Sequence, residues 1–275
     1  MFRLVRPRAR EVPVVVEVPH ASVALPEEVR ASLLVGATTV RRDADSYVDE
    51  LYRDAPSHGA TLLTAAVSRY AVDLNRDEGD FDEWSVRGAE QREREFPRGV
   101  IWRESGDGKA ALRSPLTREE FDARIERYYR PYHTALRDEL ATMRARHGRA
   151  LLVSAHSMPS MGISTRSGLP IRRADVVPGT HSRSTAAGAL IDAVESHFRA
   201  AGLSVRHDDP YRGGATTVRW GRPREGLHAI QIELNRGLYM NESTGDPKPE
   251  AIAWLTGLCA ALIERLAMVI TSERL

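Results

Sequence analysis

Three short runs of β-branched and aliphatic residues restrict what this chain can fold into. They are VPVVVEVPH (12–20), ALLVSAH (150–156) and AIQIELNR (229–236). Each is too short for an ordinary helix and rich in residues that suit a pleated, buried surface. ATLLTAAVS (60–68) reads as a further strand, YAVDLNR (70–76) as an extended segment directly after it, and LSVRH (203–207) as a later strand. Strands separated by helices of ten or more residues predict an α/β fold whose sheet is covered on both faces. In such folds ligands settle beyond the carboxyl ends of the strands. His20, His156 and Glu233 fall there.

The helices between the strands are set by their start and stop signals. Pro26 opens a short helix through about Leu34, and a second spans roughly Asp43 to Ala55, with Val48, Leu51 and Tyr52 at helical spacing. Thr117 and Glu120 have the spacing of a capping box. Phe121, Ile125, Tyr128, Tyr132, Leu136, Leu140 and Met143 follow as an amphipathic stripe. Pro131 should kink or divide that helix near Arg130, and Gly148 should stop it. Another helix runs from about Ser184 to Ala201. The last, from about Pro249 to Ser272, carries Ile252, Leu255, Leu258, Leu262, Leu266 and Val269 on one face. The stretch 77–117 is highly charged and weakly periodic. It reads as a flap or insertion beside the site within a single domain spanning 1–275, or as a plain solvated excursion.

Charge narrows the partners. With 39 Lys and Arg against 38 Asp and Glu, the net charge is +1, so no chain-wide basic excess points to nucleic acid or an anionic membrane. No uninterrupted apolar run approaches the ~20 residues of a membrane span. The N-terminal MFRLVRPRAREV is basic but lacks the apolar stretch of a signal peptide, so a cytoplasmic location is expected. Cys259 is the only cysteine, has no intrachain disulfide partner, and lies in an apolar helical segment, which reads as structural burial. Nothing in the sequence fixes an oligomeric state.

Two imidazoles at neighbouring strand ends can share one ion. Two histidines with a carboxylate are the donor set of a catalytic zinc site that keeps a position open. The carboxylate is sought in RRDADSYVDELY, which holds Asp43, Asp45, Asp49 and Glu50; spacing leaves Asp43 and Asp45 both open, one of them as a helix cap. There is no HExxH motif and no cysteine pair, so the site must be assembled from distant segments. Glu233, among isoleucine and leucine, must be paired, metal-linked or raised in pKa. That suits a general base or a structural ion pair with Arg236. DLNR (73–76) and ELNR (233–236) each place Asn-Arg after an acid. Arg69, Arg76, Arg219 and Arg236, with Asn75, would make a pocket selective for an anionic substrate. Gly213 and Gly214 allow either close approach to a ligand or a hairpin turn. GxGxxG, Walker and GxSxG signatures are absent, so Ser157 reads as a hydrogen-bond donor near His156 rather than a nucleophile.

Taken in order, VPHAS with Pro26, DADSYVDELY, SRYAVDLNRD, LTREEFDARIERYYRPYH, SAHSMPS, the GG…RWGRP segment and QIELNRGLYMNE resemble the N-formylglutamate amidohydrolase family over roughly residues 12–245. That family is related to zinc carboxypeptidases and aspartoacylases. The resemblance implies a phosphorylase/hydrolase-like α/β fold with a mixed central sheet. It also implies one Zn2+ per chain held by His20, Asp45 and His156, with Asp45 matching the family's acidic position. Glu233 would be the general acid/base, and Asn75 and Arg76 would grip the carboxylate of a small anionic acyl-amino-acid substrate.

Overall fold

The computed structural model describes residues 1–7, 10–91, 95–163 and 168–272. The chain forms two compact units, each drawn from separated stretches: residues 1–3, 19–46 and 64–138 in the first, and 4–18, 47–63 and 139–275 in the second. Its strands are β1 (Phe2–Val5), β2 (Val14–Val18), β3 (Thr61–Ala65), β4 (Ala150–Met158), β5 (Met161–Ile163), β6 (Pro170–Arg172), β7 (Val176–Gly179) and β8 (Leu227–Asn235). Six of them form one sheet in the order β1-β3-β2-β4-β8-β7, and β5 pairs with β6 alone. β2, β4 and β8 are parallel neighbours, whereas β7 lies antiparallel to β8, so the sheet is mixed. Every residue of β2, β4 and β8 is buried, which accounts for their nearly continuous apolar runs.

The helices are α1 (Glu27–Ala31), α2 (Ala37–Asp43), α3 (Val48–Leu51), α4 (Arg118–Arg124), α5 (Arg130–His147), α6 (Gly188–Ala200), α7 (Ala215–Trp220) and α8 (Pro249–Ile270). The capping box at Thr117 is formed in both directions: Glu120 N–H donates to Thr117 Oγ1 at 3.1 Å and Thr117 N–H to Glu120 Oε2 at 2.7 Å. Such a cap contributes about 1 kcal/mol. The whole stripe from Phe121 to Met143 is buried. Pro131 divides the helix in an orderly way, because a π-helical turn over Ile125–Tyr129 joins α4 to α5. The wider turn absorbs the missing proline N–H and the clash of its ring with the preceding turn, and it also buries Tyr129.

Several expected elements are different in the structure. The helix expected over 43–55 is broken, since α2 ends at Asp43 and α3 begins only at Val48, after Tyr47 takes φ 68. The segment 70–76 is turned rather than extended. LSVRH runs beside β7 as an isolated bridge, Val176 to Val205, rather than as a named strand, with backbone bonds to β7 at Ser204, Arg206 and Asp208. The buried side of α8 is rotated from the expected stripe: Cys259, Ile263 and Ile270 are buried while Leu258 and Val269 are half-exposed. α8 is long and apolar enough to cross a membrane by length and composition. Its buried side nevertheless packs on α3, α6 and β2, as a core helix does. The described part of 77–117 holds no named helix or strand, yet buries Val86, Val100, Ile101, Trp102, Ala111, Leu112 and Leu116. It is therefore no plain solvated excursion.

Candidate active site

The register of the parallel strands decides which side chains share a face. Glu17 lies opposite Ser154, Ser154 opposite Gln231, and His156 opposite Glu233. Alternate residues of a strand point to the same side. Glu17, Ser154, His156, Gln231 and Glu233 thus form a buried polar row on one face, while Val16, Val153, Ala155, Ile230 and Ile232 point the other way. His156 and Glu233 sit inside their strands rather than at the ends, since β4 continues to Met158 and β8 to Asn235.

Gln231 orients Glu233. Its Oε1 accepts the Gly214 backbone N–H at 2.8 Å, and its Nε2 donates to Glu233 Oε1 at 2.9 Å. A backbone N–H can only donate, so the amide has one satisfactory orientation and its NH2 must face the carboxyl group. Gly213 and Gly214 serve this geometry and make no hairpin. Gly213 takes φ +103 at the approach to α7, and Gly214 caps that helix.

In the first unit, His20 follows β2 by two residues, and Asp45 occupies the break between α2 and α3. Asp45 N–H donates to the His20 carbonyl at 2.9 Å, a bond that holds Asp45 out of helical geometry. The Asp45 Oδ2 atom lies 3.6 Å from His20 Nδ1. On the other side of the ring, His20 Nε2 is 2.9 Å from Asp73 Oδ1. Asp73 also accepts from Asn75 N–H at 2.9 Å, from Trp102 Nε1 at 2.9 Å and from Arg69 Nη2 at 2.8 Å. Burial would raise its pKa, but His20, Arg69 and Arg76 outweigh that and hold the carboxylate well below its ordinary range.

His20, Asp45 and His156 each offer one ligand atom, and the three atoms lie within 4.8 Å of one another, all on buried residues. Two imidazoles and one carboxylate are the donor chemistry of a catalytic zinc site with a position open to water or substrate. Asp43 has a different setting: it accepts from the Tyr70 hydroxyl, from Gly106 N–H at 2.8 Å and from Arg42 Nε at 3.0 Å. Burial and the Asp43 carboxylate in turn raise the Tyr70 pKa and keep its hydroxyl protonated.

The residues expected to bind substrate are dispersed in role. The Arg69 guanidinium pairs with Asp73 and stacks 4.3 Å from the Trp102 ring centroid. Asn75 is buried, whereas Arg76 is exposed and its carbonyl accepts the Tyr129 hydroxyl at 2.8 Å. Arg219 is half-buried on α7. Arg236 is buried and donates through Nε to Ser157 Oγ at 3.0 Å, so Ser157 accepts there where a donor was expected. Glu17, Ser154, Asp73, Trp102 and Gln231 were not singled out by the sequence reading. Asp73, Ser154 and Gln231 lie within the DLNR, SAHSMPS and QIELNR segments, while Glu17 and Trp102 lie in none; Glu17, Ser154 and Gln231 share a further signal, as polar residues at alternate positions of otherwise aliphatic strands.

Comparison with known proteins identifies the family and the fold. The family model described as N-formylglutamate amidohydrolase matches residues 12–240. An N-formylglutamate deformylase of Pseudomonas aeruginosa is 32% identical over 234 residues, covering 84% of this chain and 83% of the relative. One of Pseudomonas putida is 30% identical over 238 residues, with the same coverage of 84% and 83%. The crystal structure of N-formylglutamate amidohydrolase from Ralstonia eutropha superposes with a TM-score of 0.88 at 31% identity, covering 98% of each chain. A gene product of Agrobacterium tumefaciens shares the fold, with a TM-score of 0.72 at 21% identity over 98% of this chain and 96% of its own. The match over most of the chain, at this identity and with the same architecture, makes this protein an amidohydrolase belonging to the N-formylglutamate amidohydrolase family.

Proposed function

We propose that this chain hydrolyses N-formyl-L-glutamate to formate and L-glutamate, with one Zn2+ held by His20, Asp45 and His156. The observation that carries the reading is the convergence of those three ligand atoms within 4.8 Å. Glu233 stands in register with His156 on the adjacent strand, a further carboxyl group outside the ligand set. Bound zinc would supply Lewis acidity to the formyl carbonyl and lower the pKa of the attacking water.

The chain's own residues handle the protons. Glu233, fixed by Gln231, accepts a proton as the water oxygen bonds to the formyl carbon, and returns it to the nitrogen as the carbon–nitrogen bond breaks. Asp73 holds the Nε2 side of His20, which leaves Nδ1 facing Asp45. Asn75, Arg76, Arg219 and Arg236 are the groups we assign to the substrate's carboxylates, on the strength of their place in the DLNR, RWGRP and ELNR segments. Arg69, engaged by Asp73, belongs to the support of His20 more than to the substrate.

The test is elemental analysis of purified protein paired with an assay on a panel of formyl, formimino, acetyl and peptidyl amino acids. One zinc per chain, preference for N-formyl-L-glutamate, and loss of turnover on chelation with recovery on zinc addition are expected. Glu233→Gln should keep zinc and lose on the order of 10²–10⁴ in kcat. Full activity after all metal is removed, or wild-type turnover in Glu233→Gln, would overturn the mechanism.

A further inference from the structure

The polar row contains two groups that this reaction leaves unused. Glu17 on β2 and Ser154 on β4 are both 0% exposed. A glutamate in the middle of a valine strand is costly unless its carboxyl group is bonded, and an aliphatic residue would serve the core better. Its partner is Ser154, whose Oγ lies 2.7 Å from Glu17 Oε1, 3.1 Å from His156 Nε2 and 3.4 Å from Thr216 Oγ1.

Counting hydrogens gives these contacts their direction. A hydroxyl has one hydrogen to give and two lone pairs to accept with, and a carboxylate can only accept. Ser154 gives its hydrogen to Glu17. Its lone pairs then remain for the Thr216 hydroxyl and for a hydrogen on His156 Nε2. With Nε2 protonated, the lone pair that His156 presents is the one on Nδ1.

We infer that Glu17 and Ser154 form a positioning pair, in which Glu17, acting through the Ser154 hydroxyl, fixes the ring orientation and tautomer of His156 so that Nδ1 faces the metal. The inference rests on the zinc reading given above. Asp73 makes a direct contact of the same kind with His20. For His156 a hydroxyl is interposed, because Glu17 is level with Ser154, two residues before the histidine. Loss of such an outer partner typically weakens metal binding 10–100-fold.

The experiment has two parts. Zinc affinity of metal-free wild type and Ser154→Ala is measured by competition with a chromogenic chelator, and the ring nitrogens of His156 are observed by 15N NMR in zinc-loaded wild type. Ser154→Ala should bind zinc about 10–100-fold more weakly, and His156 should show a protonated Nε2 and a metal-bound Nδ1. Unchanged affinity in a folded Ser154→Ala protein, or coordination through Nε2, overturns the inference and leaves the zinc reading standing. Wild type that takes up no zinc overturns the zinc reading itself, and the inference with it. Should Ser154→Ala fail to fold, the NMR measurement on wild type decides alone.

Discussion

Asp43 and Asp45 stand two residues apart in the same acidic segment and have separate tasks. Asp43 closes α2 and gathers donors from Tyr70, Gly106 and Arg42. Glycine at position 106 suits this arrangement, because a Cβ there would lie 2.6 Å from Asp43 Oδ1 and the carboxylate would have to shift. Asp45, just past the helix end, faces His20. Asp43→Ala should therefore cost about 2 kcal/mol of stability, by leaving buried donors unsatisfied, and keep zinc affinity. Asp45→Ala should lose zinc with a smaller stability change. Urea denaturation and chelator competition on both variants check this, and zinc loss confined to Asp43→Ala would reverse the assignment. The two acids cannot be separated by spacing, since both fit a helix terminus. What separates them is a backbone bond from Asp45 to His20, which lies 25 residues earlier in the chain. Asp73 was hidden for the same reason: its partners His20 and Trp102 are remote in sequence.

The central strands β2, β3, β4 and β8 were the most legible elements, because a run of valine, isoleucine and leucine bounded by turn residues has few other uses; β1, β5, β6 and β7, each only three or four residues long, were not anticipated. Helix limits were less so, since tertiary contacts overrode local preference at residues 43–47; Asp208, just after LSVRH, is likewise fixed by tertiary bonds, its N–H donating to the Pro178 carbonyl of β7 at 2.8 Å and its carboxyl group accepting Thr180 N–H at 2.7 Å. β8 also holds the start of α6. His228 Nδ1 accepts the Ala187 N–H at 3.2 Å, at a helix start where Ala187 supplies no side-chain cap. Burial, with a smaller contribution from Arg149, pushes the His228 pKa down to about 4. The unfolded chain, near 6.5, takes up the proton first. The stabilisation is thus complete above about pH 6.5 and is lost as pH falls from there toward 4. The loss should reach on the order of 2 kcal/mol after solvent screening. His228→Asn, which keeps an acceptor but does not titrate, should show a distinctly shallower fall in urea midpoint between pH 7 and pH 5. Identical slopes in the two proteins would remove His228 from the account.

At the scale of the whole molecule, the order of the motifs carried more information than any one of them. No short signature resembles a metal-enzyme motif, because each of the three residues that could hold a metal comes from a different stretch of chain: His20 after β2, Asp45 after α2, His156 within β4. The α/β class and the mixed sheet were legible from alternation and resemblance. The division into two interleaved units was not, since the chain passes from one to the other at 3–4, 18–19, 46–47, 63–64 and 138–139 with no linker composition at those points.

Cys259 provides a probe of the second unit as a body. It is buried in α8, and burial pushes its thiol up to about 12, only partly opposed by Tyr52. At pH 8 the thiolate fraction is then roughly three orders of magnitude below that of a free cysteine, and the reagent has no access besides. α8 packs on α3, α6 and β2, so exposing the thiol requires that unit to open. Labelling by an aromatic disulfide reagent should accordingly be slow in the native protein and follow the urea transition seen by circular dichroism, because the open population governs the rate. Zinc that binds only the folded chain should slow labelling further, by about 100-fold at a free concentration 100 times its Kd. Rapid stoichiometric labelling without denaturant would show that α8 opens on its own. Labelling indifferent to zinc in a protein that binds it would show that the thiol becomes exposed in a state that still holds the metal.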